Sequence, residues 1–256
     1  MSTRLELIAL EGIGVVRPGD DLGSLARDAL ARQAIALRDG DILVVAQKIV
    51  SKAENRYFIL DEVVPSSRAR ELARRCDKDP RLVELVLREA REVLRAVPGV
   101  LIVEDLRGIV LANAGIDRSN VDQDASGRER VLLLPEDPDA SAARLRARLR
   151  ELCGADAGVI INDSIGRAWR MGTVGTAIGA SGIPTLLDRR GEPDLQARAL
   201  KITQVGLADE LSAAASALMG QAAEGRPAVL VRGGGWPRVE GRAADLQRPR
   251  ERDLFR

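Results

Sequence analysis

Residues 40–55 read GDILVVAQKIVSKAEN. After Gly40 and Asp41 the run stays apolar to Ala46, which marks a strand buried on both faces, and it hands the chain at once to a segment carrying Lys48 and Lys52. A doubly covered strand needs helices on either side. LELIAL (5–10) reads as a further strand, followed by a glycine turn. PGDDLGSLARDALARQAI (18–35) has Asp at a helix start and apolar residues at helical spacing. Residues 66–96 read as helical with a break at Asp79-Pro80, while VLIVED (100–105) and IVLANA (109–114) form a close antiparallel pair. VLLLP (131–135) and AGVII (157–161) are strands flanking the helix PDASAARLRARLREL (138–152). RALKITQVGLA (198–208) suits strand or helix, DELSAAASALMGQ (209–221) is helical, and AVLVRGGG (228–235) is a last strand. Strands and helices interleave without a strict βαβ rhythm. The expected class is therefore α+β or mixed α/β, a mixed sheet with flanking helices, in one domain over 1–256 with room for a smaller subdomain after about residue 190.

The chain has 256 residues, 45% of them apolar, with 39 Lys plus Arg against 38 Asp plus Glu. That balance argues against nucleic-acid binding through bulk positive charge. The absence of histidine shifts acid/base and metal chemistry to carboxylates, hydroxyls, amides and lysines. Cys76 and Cys153 have no metal-binding spacing and read as reduced packing residues. No run of 18 or more apolar residues occurs and the N-terminus lacks a secretory signal, so a cytoplasmic protein away from membranes is expected.

Four polar clusters follow strands or end helices. In Gln47–Glu54, two lysines four apart share a face if the segment is helical and suit phosphate oxygens, although a solvated helix start is the simpler reading of the segment alone. Asn113–Asn120 contains Asp117 among neutral amides, the environment of a hard cation, or of an ordinary turn. NDSIGRAWRMGTVGTAIG (162–179) is expected to be a glycine-rich loop. It offers Asp163, Ser164, Arg167 and Arg170, with glycines for close backbone approach. Met219–Arg226 ends an Ala-rich helix, where a cap is the simplest reading. GxxxxGK[ST] and GxGxxG are absent. The residues by themselves point to a divalent-metal enzyme or binder handling a phosphorylated ligand.

Taken in order, GDILVVAQKIVSKAEN, LANAGIDRSNVD, INDSIGRAWRMGTVGTAIG and KITQVGLADELSAAASALMGQAAEGRPAVLVRG resemble the coenzyme F420:L-glutamate ligase family over roughly residues 5–235. The resemblance implies a GTP-dependent ligase working with Mn²⁺ or Mg²⁺ and K⁺. It would join L-glutamate to the lactyl carboxylate of coenzyme F420-0 through an acyl phosphate, then add γ-linked glutamates. It also implies a family-specific fold and an intertwined homodimer. Carried onto matching positions, Asp117, Asp163, Ser164 and Gln221 are the metal set, and Asp117, Asp163 and Lys52 the catalytic residues. Leu10, Glu11, Gly12, Ile13, Gln47, Lys52 and Asn120 would contact GTP, together with Met219, Gly220, Gln221, Ala222, Ala223, Glu224, Gly225 and Arg226. Arg167 and Arg170 are assigned from charge alone, to the acceptor's phosphodiester or carboxylate.

Two departures stand out: Asn55 where relatives often have Gly, and Arg107 where many carry His. The reductase domain fused to some actinobacterial relatives is not expected. A rival reading, a regulatory module that binds nucleotide and metal without turnover, has less need of the complete metal set. A related ligase for another phosphorylated hydroxy acid would share the nucleotide residues.

Overall fold

The computed structural model describes residues 4–253. Its elements in chain order are β1 (Leu5–Ala9), α1 (Leu22–Arg32), β2 (Ile42–Ala46), α2 (Gln47–Ala53), β3 (Tyr57–Ile59), α3 (Ser67–Cys76), α4 (Pro80–Arg88) and β4 (Ala90–Val97). They continue with β5 (Val100–Asp105), β6 (Val110–Ala112), β7 (Arg130–Leu132), α5 (Pro138–Cys153), β8 (Gly158–Gly166), β9 (Thr173–Ser181), β10 (Leu187–Asp188), β11 (Gln204–Val205), α6 (Leu207–Met219) and β12 (Ala228–Gly233). This is an α+β fold.

The main sheet runs β1-β12-β2-β8-β9, with β2 and β8 parallel and every other pair antiparallel. β2 lies at its centre because its side chains are apolar on both faces. Leu43 and Val45 join the core of Ala29 and Leu30 on α1 and Leu145 and Leu149 on α5. Ile42 and Val44 join Leu211 and Ala215 of α6 on the other face. Fully buried side chains such as Leu43, Leu149 and Leu230 each contribute roughly 2 kcal/mol, so the strand ends leading to the cleft are firmly held. No helix among the described residues is long and apolar enough to cross a membrane.

Residues 57–133 build a second layer with its own core. There α3 and α4 cover the antiparallel sheet β4-β5-β6, burying Leu72, Val83, Val86, Leu101 and Val103. The helical reading of 66–96 is corrected here, since 90–97 is strand β4. Two register shifts, between Ala90 and Glu92 and between Val93 and Arg95, break the alternation by which a strand is recognised. Pairing with β5 then overrides the helix propensity of AREVLRAV.

A second difference concerns 162–179, which forms most of a hairpin rather than a loop. β8 continues to Gly166 and β9 begins at Thr173. Its strand glycines permit close packing. A Cβ on Gly175 would lie 2.4 Å from the Ser212 carbonyl oxygen of α6, and one on Gly179 would lie 2.4 Å from the Pro138 carbonyl oxygen of α5. Cys76 and Cys153 are both free thiols.

Candidate active site

The parallel pair delivers Ala46 and Asn162 side by side at the strands' C-terminal ends, where ligands of open α/β sheets generally bind. α2 starts at Gln47 immediately beyond β2. A register shift between Ile161 and Asn162 re-aims β8, and Asn162, Asp163 and Ser164 all reach a cleft of about 650 Å³. Asp117 arrives from elsewhere. Asn113, Ala114 and Gly115 all have left-handed φ, at 51°, 52° and 70°, and this tight turn ends β6. Asp117 is then fixed by two backbone hydrogen bonds of 2.9 Å with Leu132.

Gln47 Nε2 donates to Asp117 Oδ2 at 2.6 Å, and Ser51 Oγ donates to Gln47 Oε1 at 3.0 Å, which orients the amide. Lys48 Nζ lies 3.1 Å from the same Asp117 oxygen and donates to the Ser119 carbonyl at 2.8 Å. Asp163 is half-buried, and its Oδ1 accepts from the Ser164 N–H at 2.8 Å. Burial, and after it the charge of Asp117, raises the Asp163 carboxyl to about 6 despite the Ser164 amide, Lys48 and Gln47. Lys52 is buried, 4.0 Å from Asp122 Oδ2, and desolvation holds its ammonium below the usual lysine range. Asp117 and Asp163 thus share one cleft with Lys48 and Lys52.

Among the described residues no three His, Cys, Asp or Glu side chains gather at one point. A cation here would be held by Asp117 and Asp163 with the neutral oxygens of Ser164 and Gln221. Such an all-oxygen set suits Mg²⁺ or Mn²⁺, which also takes ligands from substrate phosphates. The mutual repulsion of the two carboxylates favours the same occupant. Asn162 also lines the cleft, and its Oδ1 is buried without a hydrogen-bond partner.

The segment after α6 closes the cleft from the other side. Gln221 Nε2 donates to Ser216 Oγ at 2.9 Å, Asn120 Nδ2 donates to the Ala222 carbonyl at 3.3 Å, and Glu224 accepts the Ala222 N–H at 2.8 Å. Gly220 and Gly225 turn this backbone with φ of 76° and 68°.

Of the residues singled out from sequence, Ile13, Gln47, Lys52, Asp117, Asn120, Asp163, Ser164, Met219, Gly220, Gln221, Ala222, Glu224, Gly225 and Arg226 line the cleft. Leu10 instead packs in the core beneath α1, and Glu11, Gly12 and Ala223 lie off the lining. Arg167 and Arg170 stand on the exposed tip between β8 and β9, also off the lining. Lys48, read from sequence with Lys52 as suited to phosphate oxygens, also lines the cleft, and Asp122, Asn162, Ser119 and Ser216 join it without an expected role. Only Lys48 carried a usable signal, its four-residue spacing from Lys52. The two departures also find places. Asn55 keeps the left-handed turn with φ 55°, which Asn tolerates, and Arg107 is a half-buried clamp with Nε 2.7 Å from Asp105 and Nη2 3.1 Å from Glu89.

A family model described as F420-0:Gamma-glutamyl ligase matches residues 12–233. The chain belongs to the F420-0:gamma-glutamyl ligase family. Among relatives named coenzyme F420:L-glutamate ligase, that of Methanopyrus kandleri is 50% identical over 99% of this chain and 97% of its own length. That of Methanothermobacter thermautotrophicus is 46% identical, covering 98% and 99% respectively. The Archaeoglobus fulgidus relative is 43% identical, covering 99% and 97%. The match to the ligase family therefore spans the central sheet, the second layer and every segment around the cleft.

Proposed function

We propose that the chain is a GTP-dependent ligase that joins L-glutamate to the lactyl carboxylate of coenzyme F420-0 and then extends the tail through γ-glutamyl links, working as a homodimer. One observation carries the reading: Asp117 and Asp163 meet in a cleft that also holds Lys48 and Lys52. An acidic pair beside a basic pair is what transfer of a phosphoryl group between anions requires. The names of the relatives support the same substrates.

Asp117, Asp163, Ser164 and Gln221 would hold Mn²⁺ or Mg²⁺, with K⁺ as the accompanying monovalent ion. The divalent ion, when bound, offsets charge on the transferred phosphoryl group and polarises it. Lys52 and Lys48 bind triphosphate oxygens. Gln47, braced by Ser51, keeps Asp117 turned into the cleft. A lactyl carboxylate oxygen attacks the γ-phosphorus; a carboxyl-oxygen-to-phosphorus bond forms as the bond to the β-phosphate oxygen breaks and GDP leaves. The amine of glutamate then attacks the acyl carbon. The amide forms and inorganic phosphate departs with the bonding electrons and the proton lost by the amine. Neither step needs a histidine or a cysteine.

Incubation with F420-0, GTP, glutamate and Mn²⁺ should yield products heavier by successive glutamyl units. Oxygen-18 placed in the lactyl carboxylate should appear in the released phosphate. Intact GTP and no adduct with either metal would sink the reading. Ligation without label transfer would keep the ligase and remove the acyl phosphate. Substituting ATP for GTP tests the choice of nucleotide, and Lys52→Ala should raise the nucleotide KM on the order of tenfold.

A further inference from the structure

The turn between β8 and β9 carries large side chains that its own chain does not cover. Trp169 is 89% exposed and Met171 96% exposed. Trp169 also has a left-handed φ of 66°, a costly conformation for a bulky residue. No internal packing compensates for it. Arg167 donates to the Gly172 carbonyl at 2.9 Å, and among the described residues Arg170 has no ion-pair or hydrogen-bond partner. An indole, a thioether and two guanidinium groups are thus presented together.

The same hairpin carries the cleft carboxylate. Asp163 pairs with Thr176 and Gly166 pairs with Thr173, so the ladder continues three residues beyond Asp163. At about 3.3 Å per residue the base of the tip lies roughly 10 Å along the strand from Asp163. A ligand spanning both places needs an anionic reacting end at the cleft, a spacer, and a flat apolar end at the tip. The long cationic side chains at the tip call for a further negative charge on the part of the ligand between its two ends.

We infer that Trp169 is the stacking platform for the planar deazaflavin ring of the acceptor, with Arg170 on its phosphodiester. The inference rests on the reading that F420-0 is the acceptor. Its lactyl carboxylate then sits by Asp117 and Asp163, its phosphodiester follows, and its ring reaches the hairpin tip. An indole face offers a ring apolar contact and stacking, and a guanidinium beside it offers charge-assisted hydrogen bonds to the phosphodiester. Because one hairpin carries both the carboxylate and the indole, the platform suits one acceptor length. A glutamyl-extended acceptor places its reacting carboxylate farther from its ring and gains less from Trp169.

Steady-state kinetics of wild type, Trp169→Ala and Trp169→Phe, with F420-0 and with its monoglutamyl product as acceptors, test this. Trp169→Ala should raise the KM for F420-0 by about tenfold, with kcat within about threefold and the GTP KM unchanged. Trp169→Phe should recover most of the loss. The KM for the monoglutamyl acceptor should change less. Direct titration following deazaflavin fluorescence should show the same weakening without turnover. An unchanged F420-0 KM and affinity in Trp169→Ala, while wild type ligates normally, overturns the platform alone. A shift from dimer to monomer by light scattering in Trp169→Ala also overturns it, since the tip is then covered by a second copy. A wild type that neither binds nor ligates F420-0 overturns the functional reading and the platform with it.

Discussion

Asp117 and Asp163 come from different layers of the fold and meet at one cleft, where the charge of Asp117 makes that of Asp163 harder to hold. Burial, and after it the charge of Asp117, lifts the Asp163 carboxyl to about 6. The arrangement works against stability, and under the proposed function a cation shared by both carboxylates would offset that cost.

Asp163→Asn should therefore stabilise the protein in EDTA while abolishing glutamate transfer. The folded pKa lies above the reference value of 3.8, so the folded state binds the extra proton between these values. Stability falls as pH rises from about 4 to about 6, and the cost persists above that range. The gain from the substitution should reach about 2 kcal/mol at pH 7.5 and shrink toward zero near pH 4. Thermal melts across that range check it. No gain at pH 7.5 would mean that the Asp163 charge costs nothing.

Arg107 is placed for structure. Its guanidinium contacts Asp105, Glu89 and the Pro135 carbonyl, and Asp105 is wholly buried. Arg107→Ala should cost about 3 kcal/mol in urea unfolding, because a buried carboxylate loses its cation. The GTP KM of the folded enzyme should stay unchanged. A large loss of kcat without loss of stability would instead return this position to the chemistry.

Gly175→Ala should loosen the cleft from behind. Its Cβ would sit 2.4 Å from the Ser212 carbonyl oxygen, 2.6 Å from Asn162 Oδ1 and 2.7 Å from Ser216 Cβ, so β9 and α6 must separate. Overpacking of this kind costs about 1–3 kcal/mol. Because α6 leads directly into residues 219–226, the nucleotide KM should rise as well. A variant with unaltered melting temperature and KM would show that α6 moves freely on the sheet.

Asp21 caps α1, accepting from the Gly23 and Ser24 N–H groups and from Ser24 Oγ, and it receives Arg148 Nε of α5 at 2.8 Å. Burial raises its pKa, but the hydrogen bonds from Ser24 and Arg148 outweigh that and lower it to about 2. A depressed carboxyl contributes stability above its unfolded value near 4 and loses it as pH falls toward 2. Asp21→Ala should cost about 1 kcal/mol at pH 7, with the gap to wild type narrowing by pH 3. Urea titrations at the two pH values measure this.

Some elements were legible directly. DILVVA, LELIAL and VLIVED are strands because their local pattern matches their final burial, and the Asp at the start of 18–35 does cap a helix. β4 was hidden because its bulges scramble the alternation. The 162–179 stretch looks like a loop in sequence because a glycine that permits close packing and one that permits a turn are indistinguishable there. The difference between them is the helix packed on each, α6 on Gly175 and α5 on Gly179.

The site divides along the same line. Residue types alone point to an oxygen-ligand, phosphate-handling chemistry, since a chain without histidine leaves carboxylates, amides and lysines for it. Tertiary structure decided which of them meet. Lys48 matters through the loop that brings Asp117 and Ser119 to it, whereas Arg167 and Arg170, close to Asp163 in sequence, are carried away along an extended strand. Local pattern determines a strand's burial and a helix's cap, because those depend on near neighbours. Convergence of charges depends on strand order and register, which only the folded sheet supplies.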